Sequence, residues 1–166
     1  KIPLINMEVY LWPKGFQLLN YEMVLDNQLF WISFRNTLII VVVGTTINMI
    51  MTLLTAYPLS KSYLKGRKKF LLIVLISMIF VAPQIPTYLV VRQLGMVNTL
   101  WSLMIPNAMS SFNMILCMTY FRSIPEELFE AARIDGMPEF KILWKIAVPV
   151  SMPMVVTLII FYSVGH

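Results

Sequence analysis

The sequence predicts an all-α membrane protein that crosses the lipid bilayer several times. Of its 166 residues, 58% are hydrophobic and 13% are charged, whereas a soluble domain has roughly 45–50% apolar and about 25% charged residues. The apolar residues are concentrated in four runs without Asp, Glu, Lys or Arg, each close to the roughly 20 residues of a helical span. The predicted spans are 36–60, 70–91, 101–121 and 148–166. Four such runs are too many to bury inside a soluble protein of this size.

Basic residues alternate between the segments that connect these runs, and this alternation predicts the orientation. Segment 61–69 contains five Lys or Arg residues, segment 122–147 contains four, and segment 92–100 contains only Arg92. Because loops rich in Lys and Arg stay in the cytoplasm, we expect 61–69 and 122–147 to be cytoplasmic and 92–100 to lie outside. This distribution of basic residues also explains the net charge of +5, so we do not expect a nucleic-acid partner.

The chain before the first span has a different composition. Residues 1–34 mix polar and aromatic side chains, so we expect an extracytoplasmic segment there, followed by a transmembrane core at 35–166. Near the outer end of the second span, Pro83 and Pro86 each remove a backbone donor. Two interpretations stay open for this pair: a simple helix end, or a bend that shapes a translocation path.

The third predicted span is the most polar of the four. Asn107, Ser110 and Ser111 follow three- and four-residue spacing, which places them on one helical face. Polar groups at membrane depth should face protein or a water-filled cavity, so this face either bonds neighbouring helices or borders a path for a polar substrate. We predict the substrate path for these three residues and assign Asn113 to bonding with a neighbouring helix.

We expect segment 122–147 to form two short helices joined at a glycine. Ser123 can cap the first helix, Pro125 suits its first turn, and Gly136 can end it in the left-handed conformation. The second helix is expected from about Pro138 to Ile146. These features alone also fit an ordinary amphipathic loop with a solvated face.

The same segment carries the most specific pattern in the chain. It reads Glu130-Ala131-Ala132, three residues, Gly136, nine residues, Ile146, one residue, and Val148-Pro149. This pattern resembles the EAA loop of ABC importer permeases, which reads E-A-A, three residues, G, nine residues, I, one residue, L-P. The chain departs from it only at Val148, which is a mild, volume-conserving replacement for Leu.

The resemblance implies that segment 122–147, the coupling loop, seats in a cytoplasmic ATPase subunit. The residues expected to couple the two subunits are Glu130, Ala131, Ala132, Asp135, Gly136, Ile146 and Pro149. Glu130 and Asp135 can accept hydrogen bonds from the partner, the two alanines permit close approach, and Gly136 sets the angle between the helices.

Other segments narrow the resemblance to the carbohydrate permeases of the MalG-like group, in the branch with lipoprotein-type and polysaccharide-fragment permeases. These segments are Val9–Phe16, Asn20-Tyr21, Asn36–Leu38, Ser123–Leu128 and Phe161–His166. The resemblance implies a MetI-like permease core with six spans, of which this chain is expected to lack the first and the last. It also implies a multi-pass protein of the cell membrane that imports carbohydrate. The implied partners are an ABC ATPase, a second permease subunit and an extracytoplasmic solute-binding protein.

Several chemistries have no support in the sequence. The chain has no G-x-x-x-x-G-K-[ST] motif, so we expect a partner subunit to bind ATP and this chain to need no cofactor. It also has no H-E-x-x-H motif or Cys/His cluster, so we expect no metal site. The alternative function is an intramembrane enzyme acting on a lipid-linked sugar. Such an enzyme needs ionisable residues within its spans. Because the four runs contain no Asp, Glu, Lys or Arg, we do not expect enzymatic activity.

Overall fold

The computed structural model describes residues 24–80 and 83–166, and every regular element in these ranges is helical, as predicted. The helices are α1 (Gln28–Ser60), α2 (Arg67–Ile79), α3 (Gln84–Gln93), α4 (Trp101–Met104), α5 (Ser111–Ser123), α6 (Glu126–Ile134), α7 (Glu139–Ile142), a π-helical turn (Leu143–Ala147), α8 (Val148–Val150) and α9 (Met152–Gly165). Most of the predicted extracytoplasmic segment 1–34 lies outside the described residues. The chain divides into two compact units after Thr37.

Helix α1 begins well before the predicted start of the first span at Asn36. In the first unit, Asn27 Oδ1 accepts the backbone amide of Leu29 at 3.0 Å, which is the bond of a helix N-cap and explains the early start. The helix has 33 residues and is therefore about 50 Å long, more than the roughly 30 Å of a hydrocarbon core. Among the described helices, only α1 is long and apolar enough to cross a membrane by itself.

The second predicted span, 70–91, is a bent pair of helices. The axes of α2 and α3 differ by 115°. Pro83 directly precedes α3, and Pro86 lies in the first turn, where a missing backbone N–H removes no helical hydrogen bond. Of the two interpretations left open for this pair, the angle between α2 and α3 supports a bend, and its part in a translocation path stays a prediction.

The third predicted span, 101–121, is not one continuous helix, and this part of the expectation is wrong. Helix α4 ends at Met104 and α5 starts at Ser111. Pro106 lacks the donor that a continuing helix needs, and the side chain of Ser110 accepts the amide of Asn113 at 3.4 Å, which starts α5 anew. Helix α5 has 13 residues and reaches about 20 Å. Whether the segment crosses the membrane stays a prediction.

The fourth predicted span, 148–166, is also interrupted. The axis of Glu139–Val150 meets that of α9 at 88°. The bend falls at Ser151, whose hydroxyl is buried without a hydrogen-bond partner among the described residues. Counting each bent pair as one span, the described residues contain up to three candidate spans.

The core of the second unit, Leu38–His166, forms where α1, α5, α6 and α9 pack together. The apolar side chains with almost no exposed surface are Ala56, Met114, Cys117, Phe121, Phe129, Ile142, Ala147 and Leu158. Cys117 is a free, buried thiol that packs as a small apolar side chain. Large apolar residues such as Val42 and Ile73 remain exposed, as a surface in contact with lipid requires.

Candidate functional site

Gly136 ends α6 in the predicted left-handed conformation, with φ at +74°. The amide of Met137 donates to the carbonyl oxygen of Ala132 and the amide of Gly136 donates to that of Arg133, both at 3.0 Å. These are the two bonds of a Schellman motif. A Cβ on Gly136 would meet no atom within 4 Å. The backbone conformation, and not a lack of space, therefore favours glycine here.

The predicted cap of α6 is wrong. Ser123 is the last residue of α5, and its hydroxyl donates to the carbonyl oxygen of Tyr120 at 2.7 Å. Pro125 occupies the N-cap position of α6. Glu126 and Glu127 lie in the first turn, where their charges complement the positive end of the helix dipole.

The residues predicted for coupling divide into an exposed and an inward set. The exposed ones are Glu130, Ala131, Asp135, Gly136 and Pro149. Ala132 is buried and Ile146 is half-buried. Ala132 therefore packs within the protein, so only Ala131 of the two alanines is free to permit the close approach expected from the sequence.

An apolar side chain that the sequence reasoning did not select lies among these exposed residues. Ile134 is 86% exposed, more than any other large apolar residue of the coupling loop. It stands beside Asp135 and one turn from Glu130, so the surface offers an apolar anchor flanked by two carboxylates. The position of Ile134 inside the motif, directly before Asp135 and Gly136, was the sequence feature that could have identified it.

A charged network, here called the Lys61 network, ties the coupling loop to the C-terminal end of α1. Lys61 Nζ donates to Glu126 Oε2 at 2.8 Å. Arg133 donates to Glu126 Oε1 at 3.1 Å and to Glu139 Oε1 at 2.8 Å. The hydroxyl of Tyr57 donates to Glu139 Oε2 at 2.7 Å. Sequence reasoning could not identify this network, because Tyr57 and Lys61 are far in the chain from Glu139 and Glu126.

The network shifts the ionisation of its members. Burial lowers the pKa of Lys61, and the hydrogen bond with Glu126 opposes this shift only in part. At Glu126, burial acts to raise the pKa, but the hydrogen bonds from Lys61 and Arg133 outweigh it and leave the pKa below its ordinary value. Glu126 is therefore a carboxylate at neutral pH and accepts from both cations.

A polar cavity of about 310 Å³ lies beside the break between α4 and α5. Asn107, Ser110 and Asn113 line it, and the substrate path assigned to the first two from the sequence stays a prediction. Ser111 instead lies with its hydroxyl 3.2 Å from that of Ser77 on α2. Ser111 thus makes an interhelical contact, because the break in the helix removes the common face assumed from the sequence, and the bonding role of Asn113 stays a prediction.

The other wall of the polar cavity includes residues that the sequence reasoning did not select. Asn48 on α1 is buried, and its Nδ2 lies 3.0 Å from His166 Nε2. The hydroxyl of Tyr162 lies 2.6 Å from Thr52 Oγ1 and accepts the amide of Ser110 at 3.4 Å. Asn48 Oδ1 has no partner among the described residues. The position of Asn48 within a predicted span was the sequence feature that could have identified this wall.

The chemistry of the cavity is that of neutral hydrogen bonding. Among the described residues, amide and hydroxyl side chains line it together with His166 and the apolar Pro106, Met109 and Phe161, and no Asp, Glu, Lys or Arg side chain does so. Residues 24–80 and 83–166 hold no group of three His, Cys, Asp or Glu side chains arranged to bind a metal ion. The cavity therefore suits a molecule rich in hydroxyl groups.

A known protein family matches the part of the chain that contains the coupling loop. The model of the binding-protein-dependent transport system inner membrane component matches residues 62–165. The chain belongs to this family. The match agrees with the resemblance drawn from the pattern around Glu130 and Gly136, and a family of transport components gives no support to the enzyme alternative.

Individual relatives extend the likeness over nearly the whole chain. Protein LplC of Bacillus subtilis (strain 168) is 41% identical, covering 98% of this chain and 55% of that protein. The polygalacturonan/rhamnogalacturonan transport system permease protein YtcP of the same organism is 34% identical, covering 98% of this chain and 57% of that protein. The chain spans little more than half the length of these relatives.

A solved structure supports the same fold. The crystal structure of a bacterial ABC transporter involved in the import of the acidic polysaccharide alginate contains a chain that is 34% identical to this one, with a TM-score of 0.93. The alignment covers 98% of this chain and 58% of that chain. The described helices therefore form a permease core, and the MetI-like fold implied by the resemblance is confirmed.

Proposed function

We propose that this chain forms part of the permease subunit of an ATP-driven ABC importer and crosses the cell membrane several times. The exposed helix–glycine–helix element carries the proposal, because it presents Glu130, Ile134 and Asp135 together on its surface. A compact knob with an apolar anchor and flanking acceptors fits a cleft that supplies Arg, Lys or backbone donors. The partner ATPase binds the ATP, and this chain needs no cofactor of its own.

The substrate that we propose is an oligosaccharide or another carbohydrate. The polar cavity supports this class because its amides and hydroxyls match the donors and acceptors of a sugar. Two of the similar proteins are named for the transport of polygalacturonan/rhamnogalacturonan and the import of alginate. We further propose that a solute-binding protein delivers the sugar and that a second permease subunit completes the path.

In this mechanism the chain does no covalent chemistry. Closure of the ATPase moves the coupling loop, and the helices packed on that loop alternate between two arrangements that open the path to opposite sides. Asn107, Ser110 and Asn113 border the path, and Ser111 holds α5 against α2. The exposed residues Glu130 and Asp135 transmit the contact with the ATPase.

Reconstitution of the full-length subunit with its partners in proteoliposomes tests the proposal. With ATP supplied on the ATPase side, we expect uptake of radiolabelled rhamnogalacturonan or alginate oligosaccharides, and we expect none with a non-hydrolysable ATP analogue. Uptake that is independent of ATP, or purification of the subunit from its own membranes without any ATPase, would contradict the proposal. Turnover of a lipid-linked sugar by the subunit alone would favour the enzyme alternative.

A further inference from the structure

We propose that Lys61 makes α1 the element that carries movement of the coupling loop to the polar cavity, an inference that rests on the proposed function. Lys61 directly follows α1, is 3% exposed, and donates to Glu126 Oε2 at 2.8 Å. Its ammonium also lies 3.1 Å from the centroid of the Phe129 ring, within the range of a cation–π interaction. Both contacts are with α6, so one buried cation fixes the end of α1 to the first helix of the coupling loop.

The burial of Lys61 makes this attachment resistant to separation. An ammonium held away from water depends on its carboxylate partner much more than an exposed one does. If α6 moved away without α1, Lys61 would lose both Glu126 and the ring of Phe129 and would remain beside the ring of Tyr57 alone. A displacement of α6 therefore takes the end of α1 with it.

Arg133 extends the attachment across the glycine junction. Its Nε donates to Glu139 Oε1 at 2.8 Å, and its Nη2 donates to the hydroxyl of Tyr63 at 2.9 Å. Glu139 also accepts the hydroxyl of Tyr57, which lies on α1. The helices on both sides of Gly136 are thus bonded to α1 or to the segment that follows it, so the Lys61 network moves as one body.

Helix α1 runs from this network to the polar cavity as a single helix that contains Pro58 near its C-terminal end. Ala56, Thr52 and Asn48 follow at four-residue spacing along its buried face. Asn48 lines the cavity, about 20 Å along the helix from Lys61. The other route from the coupling loop passes through the π-helical turn and bends by 88° before α9. Since α1 stays helical from Asn48 to Ser60 despite Pro58, it is the more direct of the two links between the sites.

The test follows the accessibility of the cavity in the full transporter, reconstituted with its ATPase. Cys117 is replaced by Ala, and Met109, which lines the cavity, is replaced by Cys. The rate at which an impermeant methanethiosulfonate reagent labels the Met109→Cys thiol is measured with and without ATP and vanadate. We expect nucleotide to change this rate in the parent protein and to leave it unchanged in Lys61→Met, while the ATPase still copurifies.

Two further variants separate transmission from mere stability. Lys61→Arg keeps the charge and is expected to retain the response to nucleotide. Lys65→Met removes an exposed lysine from the same segment and is the matched control, expected to retain the full response. If Lys61→Met only destabilised the transporter, its yield would fall, but the complexes that remain would still change their labelling rate with nucleotide.

The outcomes distinguish this inference from the proposed function. A full nucleotide response in Lys61→Met overturns the role of Lys61. No response in the parent protein counts against the proposed function itself. If Lys61→Met does not accumulate in the membrane, Glu126→Gln keeps the lysine and the side-chain shape. It is expected to lose the response, and a full response there overturns the inference equally.

Discussion

The amide of Met137 donates to the carbonyl oxygen of Ala132 at 3.0 Å, which closes the end of α6 around Gly136. This bond requires the positive φ of Gly136, and a β-branched residue resists that conformation by about 1–2 kcal/mol. We expect Gly136→Val to insert into the membrane but to lose copurification with the ATPase and ATP-driven uptake. Both are measured on the reconstituted transporter.

Gly136→Asn is the matched control for this prediction. Asparagine tolerates the left-handed conformation better than valine does, and a Cβ at this position meets no atom within 4 Å. We therefore expect Gly136→Asn to retain most of the uptake. Equal loss in both variants would mean that the absence of a side chain, and not the backbone conformation, is what the partner requires.

The Thr52–Tyr162 pair joins α1 to α9 beside the polar cavity, with 2.6 Å between the two hydroxyl oxygens. Tyr162→Phe leaves the fully buried hydroxyl of Thr52 without this partner, which is expected to destabilise the protein by about 1–3 kcal/mol. Thermal unfolding of the purified subunit measures the change. The double variant Thr52→Val with Tyr162→Phe should be less destabilised than the sum of the singles, and strict additivity would show that the bond contributes nothing.

The coupling loop could be predicted from the sequence because its shape depends on local rules. Gly136 takes the conformation that glycine favours, and Pro125 marks the start of α6 to within one residue. The polar cavity could be predicted only in part. The assignment of Ser111 to the same face as Asn107 and Ser110 assumed an unbroken helix. The helix is in fact interrupted between Met104 and Ser111.

The Lys61 network was beyond the reach of sequence reasoning for a different physical reason. Lys61 and Glu126 are paired through the packing of α1 on α6, and nothing in the local pattern of either segment specifies that partner. The charge of segment 61–69 predicted only a side of the membrane. Its most consequential lysine turned out to be buried and bonded, unlike the exposed Lys65.

Lys61 and Glu126 are in contact, which supports the prediction that segments 61–69 and 122–147 lie on the same side of the membrane. The side itself stays a prediction from the Lys and Arg distribution. With Cys117 replaced, single cysteines at Lys65 and at the exposed Leu94 are labelled in intact cells by an impermeant reagent. We expect labelling of Leu94→Cys alone, and the reverse result would invert the topology.

The low pKa of Glu126 predicts how the Lys61 network responds to acid. The ordinary pKa of a glutamate carboxyl is 4.5, and the pKa of Glu126 in the folded protein lies below that value. The contribution of Glu126 to stability is therefore fully present above about pH 4.5 and is lost as the pH falls through the folded-state pKa. We expect the melting temperatures of the parent protein and Glu126→Gln to converge on acidification. A constant difference between them would show that the ionised carboxylate is not what stabilises the contact.

The polar cavity yields a matched pair of substitutions on neighbouring residues. Asn113 lines the cavity, whereas the hydroxyl of Ser111 faces Ser77 on α2. A hydrogen bond to a bound sugar contributes about 0.5–1.5 kcal/mol, so Asn113→Ala is expected to raise the KM for ATP-driven uptake by roughly twofold to tenfold. Ser111→Ala is expected to leave the KM unchanged and to lower thermal stability by about 1 kcal/mol or less.

Initial uptake rates are normalised to the amount of assembled transporter, which separates binding from assembly. A raised KM in Ser111→Ala with a normal KM in Asn113→Ala would return the path to the face predicted from the sequence.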